Sequence, residues 1–578
     1  MNPRANNISL SFPERAERIL NLIAIVAAIG GAILFLIEYG FHLSGVRAHL
    51  FHLLVYIICW FLVAQFFTKF VFASVKKKSL AVNQKDFFLI SGFLVTLFLL
   101  RTDLLPFDLE KIFVYKVFIL LFLGMRASYL NRIFLLFPLS PALTVVTTFV
   151  LIIAVGTGLL LLPVATVSGK TTKILDAVFT ATSATCVTGL IVVDTGSHFS
   201  RFGQIIILLL IQIGGLGLMT FTSFFALLSG EFGVRDRIIL REIMRYENLS
   251  RIGYLILYIL VLTFIFEALG AVLLYLQFLP EAFSSSQALY SAIFHSISAF
   301  CNAGFSLNAD SFVSYRGNIG INFTMIALII SGGLGFLVIV NLLKMCYSRI
   351  KHKRKEPFLL HTKLVLITTL VLLGVGTFLF YLGEMNGSLK NLPFGEKIMA
   401  SFFQSVTART AGFNTLKIGS LTTFASFLLM ILMFIGASPG STGGGIKTST
   451  FATLIVTIKS MIQGKDEVEA FKRTIPRTYI YQAICVVTLA LSWISISTLI
   501  LSFTENFSFL DVFFEVFSAF GTVGLSRGIT AQLTNWGKII IIITMLAGRI
   551  GPLTLALAIA GKKAVKLYEY PEEGVVIG

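Results

Sequence analysis

The sequence predicts an all-α polytopic membrane protein. Four pseudo-symmetric helix–pore-loop–helix units surround one pore, and an N-terminal bundle of about four helices precedes them. Three observations predict it: an apolar composition, an alternation of basic and acidic connections, and a segment that recurs four times at nearly constant spacing. Of the 578 residues, 56% are hydrophobic and only 13% charged, with Phe contributing 56. Soluble chains carry about a quarter charged residues, so there is too little charge here to cover a solvated surface of that size. A cytosolic enzyme, a nucleic-acid binder and a disordered tail are thereby excluded. The net charge of +18 reads as basic cytoplasmic connections. Cys59, Cys186, Cys301, Cys346 and Cys485 are scattered through apolar runs with no metal spacing or disulfide framework. Met1–Phe12 lacks a short apolar stretch ending in a cleavage site, so no signal peptide is expected.

A membrane span needs about 20 apolar residues, because lipid offers the backbone no hydrogen-bond partner. Taken in order, the runs that qualify are Ile19–Phe41, Leu50–Phe72, Phe87–Leu105, Ile112–Met125, Ala142–Pro163 and Phe202–Leu228. Ile252–Phe278, Ile319–Met345, Lys363–Leu382, an interrupted Phe424–Ile462, Tyr479–Leu501 and Trp536–Gly561 follow, making twelve. With the N-terminus inside, alternate connections hold 29 of the 46 basic residues: Arg4 to Arg18, Lys76 to Lys85, Arg126 and Arg132, Arg235 to Arg251, Lys344 to Lys363, Lys459 to Arg477, and Lys562 to Lys566. The opposite side carries Asp103, Asp108, Glu110, Asp194, Glu281, Asp310, Glu384, Glu505 and Asp511. Both termini are therefore expected in the cytoplasm. Residues 1–135 form a transmembrane appendage. Arg126 and Arg132 alone do not make the regular series of a voltage sensor, so the appendage reads as a scaffold or dimer-contact bundle.

Between certain spans lie stretches too polar and Gly-rich for an ordinary helix. Phe179–Gly189 (FTATSATCVTG), Phe294–Gly304 (FHSISAFCNAG), Phe403–Gly412 (FQSVTARTAG) and Phe514–Gly524 (FEVFSAFGTVG) run in parallel, the third one residue shorter. Their last glycines are 115, 108 and 112 residues apart. The following helix repeats too, with glycines at Gly214, Gly332, Gly436 and Gly548, placed 25, 28, 24 and 24 residues downstream. The expected units are residues 142–228, 252–345, 361–462 and 479–561, followed by a cytoplasmic tail at 562–578. Irregular backbone at membrane depth survives only where protein buries it or it lines a watery cavity. Four such segments on one axis would turn carbonyl oxygens inward and replace the hydration shell of a monovalent cation. Glycine permits the dihedrals this needs, and each short helix would aim its negative C-terminal end at the ion. One copy alone would more simply be a small-residue packing motif.

Ser183 to Leu190 (SATCVTGL), Ala408 to Thr415 (ARTAGFNT), Gly440 to Thr448 (GSTGGGIKT) and Gly548-Arg549-Ile550-Gly551-Pro552 resemble the Trk/Ktr/HKT superfamily of potassium transporters, most of all a bacterial Trk- or Ktr-type membrane subunit. The resemblance covers about residues 142–561. It implies four non-identical repeats around one pore, each placing one glycine in the filter, and glycine in all four positions implies potassium selectivity. Carried over, the filter backbone is Val187-Thr188-Gly189, Asn302-Ala303-Gly304, Thr410-Ala411-Gly412 and Thr522-Val523-Gly524. Thr188 and Thr410 either add hydroxyl ligands or are simply small residues that fit.

Phe424–Ile462 is broken by Pro439 and five glycines between Gly436 and Gly445, which cannot stay helical. The family uses such a loop as a gate, here Gly436, Pro439, Gly440, Ser441, Thr442, Gly443, Gly444 and Gly445. Arg549, deep in an apolar span, should face a watery cavity. It reads as an electrostatic barrier below the filter, the alternative being an arginine that pairs with backbone carbonyls of the loop. Arg409 reads as a brace for the third segment, and Glu267 and Glu515 as partners of polar neighbours. Ser183 and Ser298 are candidate nucleophiles, but His295 and His361 lack triad companions, so an enzyme is not expected. An organic-solute transporter would show two inverted halves rather than four parallel units.

The expected function is potassium uptake, with a sodium-permeable or sodium- or proton-coupled cation symporter of the same fold as the alternative. No cofactor is expected beyond transported potassium and, on the alternative, sodium. The resemblance implies a bacterial inner-membrane location, a homodimer and a cytoplasmic RCK-type nucleotide-binding subunit docking on Arg235–Arg251, Lys344–Lys355 and Lys459–Arg477. Basic loops and lipid headgroups account for those runs equally well.

Overall fold

The computed structural model describes residues 12–41, 46–75, 84–102, 111–136, 141–217, 252–280, 284–352, 358–560 and 571. The basic runs at Lys76–Lys78, Arg235–Arg251 and Lys562–Lys566 lie outside the described residues, as do Asp103, Asp108, Glu110 and Glu281. The described chain is helical apart from one two-stranded ribbon, β1 (Glu469–Ala470) with β2 (Arg473–Thr474). Six helices among the described residues are long and apolar enough to cross a membrane, and a bent pair makes a seventh.

The first four helices, α1 (Phe12–Gly40), α2 (Val46–Val75), α3 (Gln84–Arg101) and α4 (Lys111–Leu136), close on a core of their own. Phe93 stacks on Phe118 with centroids 4.1 Å apart. Glu38 accepts a hydrogen bond from Lys116 at 2.9 Å and pairs with His52 at 2.8 Å. This bundle docks on the rest through the end of α1, where Tyr39 meets Phe202 at 5.5 Å. The side chains of Arg126 and Arg132 lie outside the described ones.

After α5 (Pro141–Leu160), a short helix α6 (Ile174–Thr185), a turn α7 (Thr195–His198) and α8 (Arg201–Leu216) complete a first group. The same order recurs as α9 (Ile252–Phe278), α10 (Ser285–Phe300) and α11 (Ile319–Gly333), the last continued by α12 (Phe336–His352). Next come α13 (Leu360–Glu384), α14 (Phe394–Thr407), α15 (Thr423–Phe434) and α16 (Thr448–Ile462). Last are α17 (Arg477–Thr504), α18 (Phe509–Gly521), α19 (Asn535–Ile550) and α20 (Pro552–Ala560).

Small polar side chains fasten the long helices to the short ones. Ser296 donates to the Glu267 carbonyl at 2.7 Å and Ser405 to the Leu373 carbonyl at 3.1 Å. In lipid such interhelical bonds are worth about 0.6–2 kcal/mol, and van der Waals contact does much of the remainder. Glu384 and Glu505 are buried at the ends of α13 and α17. Each accepts the backbone N–H of the N-cap residue of the helix beyond the intervening short one, Thr422 of α15 and Thr534 of α19 respectively. A carboxylate beside each capped helix start also favours the positive helix end.

Two spans expected to be continuous are broken. Ile319–Met345 bends by 100° between α11 and α12, because Gly335 is left-handed (φ +86) with the Pro439 carbonyl pressed against it. Trp536–Gly561 breaks at Gly551 (φ +93) ahead of Pro552. The helix of Phe202–Leu228 stops at Leu216, where Gly217 takes φ +77, and Leu228 itself lies outside the described residues.

Candidate functional site: a ring of main-chain segments

Each short helix, α6, α10, α14 and α18, ends just before one of the four glycine segments. Two residues per segment are left-handed. The first is Val187, Asn302, Thr410 or Thr522, with φ of 57, 60, 72 and 49. The second is Gly189, Gly304, Gly412 or Gly524, with φ of 88, 71, 79 and 94. Alternating hands turns successive carbonyls to one side, whereas a uniform strand points them alternately. A left-handed non-glycine residue costs about 1–2 kcal/mol, and four at one register mean the surroundings hold them there.

The four segments meet. A Cβ placed on Gly189 would lie 2.9 Å from the Gly304 Cα, and one on Gly304 would lie 3.0 Å from the Gly412 Cα. A Cβ on Gly412 would lie 3.3 Å from the Gly524 Cα, and one on Gly524 would lie 3.0 Å from the Gly189 Cα. The chain of contacts closes, so the order around the ring is first, second, third, fourth. All twelve residues of the four triplets are accounted for: Thr188, Ala303, Ala411 and Val523 sit between the two left-handed positions, fully buried. The hydroxyls of Thr188, Thr410 and Thr522 are buried without a protein partner.

A hydroxyl supports every segment from behind. Ser183 accepts the Gly189 N–H at 3.1 Å, and Ser518 accepts the Gly524 N–H at 3.1 Å. Ser298 donates to the Phe305 carbonyl at 2.8 Å, and Thr407 to the Phe413 carbonyl at 2.6 Å. Sequence alone did not assign this supporting role to any of the four, and Ser183 and Ser298 read there as candidate nucleophiles. The signal was present: each segment carries a hydroxyl followed by alanine in the same column.

Downstream glycines seat the next helix on the short one. Gly214, Gly332 and Gly548 lie against the carbonyl carbons of Thr185, Phe300 and Phe520, where a Cβ would come within 2.8, 3.0 and 2.7 Å. Gly436 differs, packing on its own loop beside Gly444. That loop, residues 435–447, joins α15 to α16 under the ring. Gly436 donates to the Ile446 carbonyl at 2.9 Å, and Ser438 and Thr442 donate to the Gly333 and Gly332 carbonyls at 3.0 and 3.2 Å. Gly440 accepts from Phe336 N–H at 2.9 Å, tying the loop to the start of α12. Ser441 donates to the Ser438 carbonyl, closing the turn around Pro439. Gly443 faces Thr410 and Gly444 faces Thr522, and Gly445 (φ +66) lies against Gly436.

Arg549 donates to two main-chain carbonyls, Thr442 of the loop and Gly214 of α8. The arrangement is the carbonyl-pairing arginine that the sequence left open as the alternative. Arg409 is 8% exposed beside Ile330, Gly333 and Leu334, with its Nε unpartnered. Glu267 accepts from Gln212 at 3.2 Å, and Glu515 from Ser526 at 2.8 Å.

At the outer ends, polar contacts cross between neighbouring groups. Tyr290 donates to Gln204 at 2.9 Å, Arg316 pairs with Glu396 at 3.4 Å, and Lys538 pairs with Asp176 at 2.7 Å. Arg527 holds Asp511 at 2.6 Å and donates to Ser426 at 2.7 Å. Burial alone raises the Asp511 carboxyl, but the Arg527 and Ser508 hydrogen bonds and the Arg527 charge bring it below the ordinary carboxylate range.

A multi-pass helical membrane protein built around such a ring is an ion-transport protein, not an enzyme. Residues 118–566 match the TrkH cation transport protein family, and the chain belongs to that family. It is 40% identical to the potassium/sodium uptake protein NtpJ of Enterococcus hirae over 448 residues, spanning 76% of this chain and 98% of that one. It is 39% identical to the Ktr system potassium uptake protein B of Bacillus subtilis, over 76% of this chain and 97% of that one. The fold resembles the crystal structure of the potassium transporter TrkH from Vibrio parahaemolyticus, with a TM-score of 0.56 at 20% identity, covering 73% of this chain and 85% of that one.

Proposed function

We propose that this protein takes up potassium through one pore surrounded by four pseudo-symmetric units, at residues 142–228, 252–345, 361–462 and 479–561. The filter is Val187-Thr188-Gly189, Asn302-Ala303-Gly304, Thr410-Ala411-Gly412 and Thr522-Val523-Gly524. One observation carries this reading: the four left-handed glycines contact one another in a closed ring. Carbonyls on such a ring replace the water around a dehydrated potassium ion, and four short helices ending beneath it add negative dipole ends that disfavour anions. The unpartnered hydroxyls of Thr188, Thr410 and Thr522 are available to the ion as well.

Below the filter, Gly436–Gly445 is the gate and Arg549 its latch. The loop has few side chains to repack, and its bonds to α11 and α12 are main-chain bonds that can exchange for water. Arg549 fastens the loop to α8 and puts a positive charge on the cation path. Residues 1–135 act as a scaffold beside the pore. On this reading the protein sits in the bacterial inner membrane with both termini cytoplasmic, as a homodimer regulated by a nucleotide-binding RCK-type subunit, with residues 562–578 as the tail. A sodium-permeable or sodium- or proton-coupled mode is the second reading, favoured by the potassium/sodium name of the Enterococcus relative.

The test is potassium and sodium uptake in a transport-deficient cell, wild type beside Gly189→Ser. Wild type should restore potassium uptake, and the serine variant should admit sodium. A wild type that carries neither ion would refute the proposal.

A further inference from the structure

We propose that His295 and Glu515 are positioning residues that set potassium-over-sodium discrimination by bracing the second and fourth segments, an inference that rests on the pore proposed above. Both occupy one position, immediately after the phenylalanine that opens each recurrent stretch, and both are fully buried. Both reach a serine 11 residues on, two residues past the ring glycine. His295 Nε2 meets Ser306 Oγ at 3.1 Å, and Glu515 Oε2 accepts from Ser526 Oγ at 2.8 Å.

Each brace then takes a second hold on the outgoing chain. The Leu307 N–H donates to His295 Nε2 at 3.2 Å. That nitrogen is therefore bare, and Nδ1–H donates to the Ser291 carbonyl at 2.8 Å. Thr530 donates to the other Glu515 oxygen, while Ser526 accepts the Gly528 N–H at 3.0 Å. The other two segments have no such brace among the described residues. Thr180 donates back within its own helix to the Asp176 carbonyl at 2.8 Å, and both amide atoms of the buried Gln404 lack a partner.

The ring order places the second and fourth segments opposite each other, so the braces lie on one diagonal of the cage. An apolar side chain would fill either position without the desolvation that an imidazole or carboxyl group incurs. What the polar groups add is a fixed distance from each short helix to the chain leaving the ring. Releasing one end of a diagonal lets the carbonyls relax toward the smaller sodium ion.

The experiment uses the full-length protein in liposomes, with potassium and sodium uptake measured on the same preparation. His295→Leu and Glu515→Leu should each lower the potassium-to-sodium uptake ratio about tenfold, the worth of one net hydrogen bond. His295→Gln and Glu515→Gln, which keep an acceptor, should recover most of it, and Gln404→Leu should leave it unchanged. If a leucine variant fails to fold, Ser306→Ala and Ser526→Ala remove the same contact with one atom and should lower the ratio in the same direction. Folded leucine or alanine variants with the wild-type ratio would overturn the inference, as would glutamine variants as impaired as leucine ones. A wild type that does not prefer potassium would instead overturn the pore reading beneath it.

Discussion

Replacing Gly189 with serine is the perturbation whose cost is most directly worked out. Gly189 has φ +88, so any side chain there pays about 1–2 kcal/mol for the left-handed backbone. The new Cβ would sit 2.9 Å from the Gly304 Cα and 3.2 Å from the Ala303 carbonyl carbon, where ordinary contact begins near 3.4 Å. Those neighbours are main chain and cannot rotate away. Overpacking of this kind costs about 1–3 kcal/mol, for a total of about 2–5 kcal/mol. A tenfold change in preference needs only about 1.4 kcal/mol. Strain released by moving one wall of the cage is therefore enough to degrade selectivity. Gly169 is the control, with φ +67 and open space, nothing lying within 4 Å of where its Cβ would stand. Gly169→Ser should share the backbone cost alone. In paired potassium and sodium uptake assays, Gly189→Ser should lower the ratio at least tenfold and Gly169→Ser should not. Equal ratios in both variants, each folded, would refute the steric reasoning.

Arg549→Ala removes two charge-assisted bonds, to the loop at Thr442 and to α8 at Gly214, worth about 1.5–3 kcal/mol each, and a positive charge. Potassium flux should rise several-fold, and unchanged flux in a folded protein would remove the latch. Gly443→Val brings methyl groups against Thr410, so flux should fall while protein abundance in the membrane stays within about twofold of wild type. Lys538→Met leaves Asp176 largely buried without its cation, and the thermal midpoint in detergent should drop by several degrees. The double variant with Asp176→Asn should regain much of that loss, because the stranded carboxylate is gone. Asp511, with its folded pKa lowered, contributes stability that is full above the unfolded value of about 4 and is lost as pH falls toward the folded one. The gap in thermal midpoint between wild type and Asp511→Asn should therefore be present at neutral pH and shrink under acid.

The ring glycines were legible in the sequence because left-handed backbone is a local demand that glycine answers, and its recurrence at 115, 108 and 112 residues marks one structural event. The companion left-handed residues were not, since Val187, Asn302, Thr410 and Thr522 are not residue types that left-handed backbone ordinarily selects as it selects glycine, and three of the four are β-branched. Their conformation is imposed by neighbours far along the chain. The supporting hydroxyls stood in plain register, yet a serine before alanine carries no direction until its partner is known. The bend after Gly333 was hidden for a different reason. The glycines of Ile319–Met345 weaken the helix without fixing a bend, and what turns it is the Pro439 carbonyl on Gly335, about a hundred residues downstream. The buried Glu384 and Glu505 were placed on the outer side by charge alternation. Their bonds to the starts of α15 and α19, each beyond a short helix, needed the tertiary arrangement.

The central claim is that four main-chain segments share one cation. Rubidium, whose anomalous scattering locates it, should substitute for potassium in crystals of the purified protein. The account requires peaks on the axis enclosed by Gly189, Gly304, Gly412 and Gly524, lost when sodium replaces rubidium. Rubidium bound elsewhere with that axis empty, or glycines lying apart from one another, would contradict it.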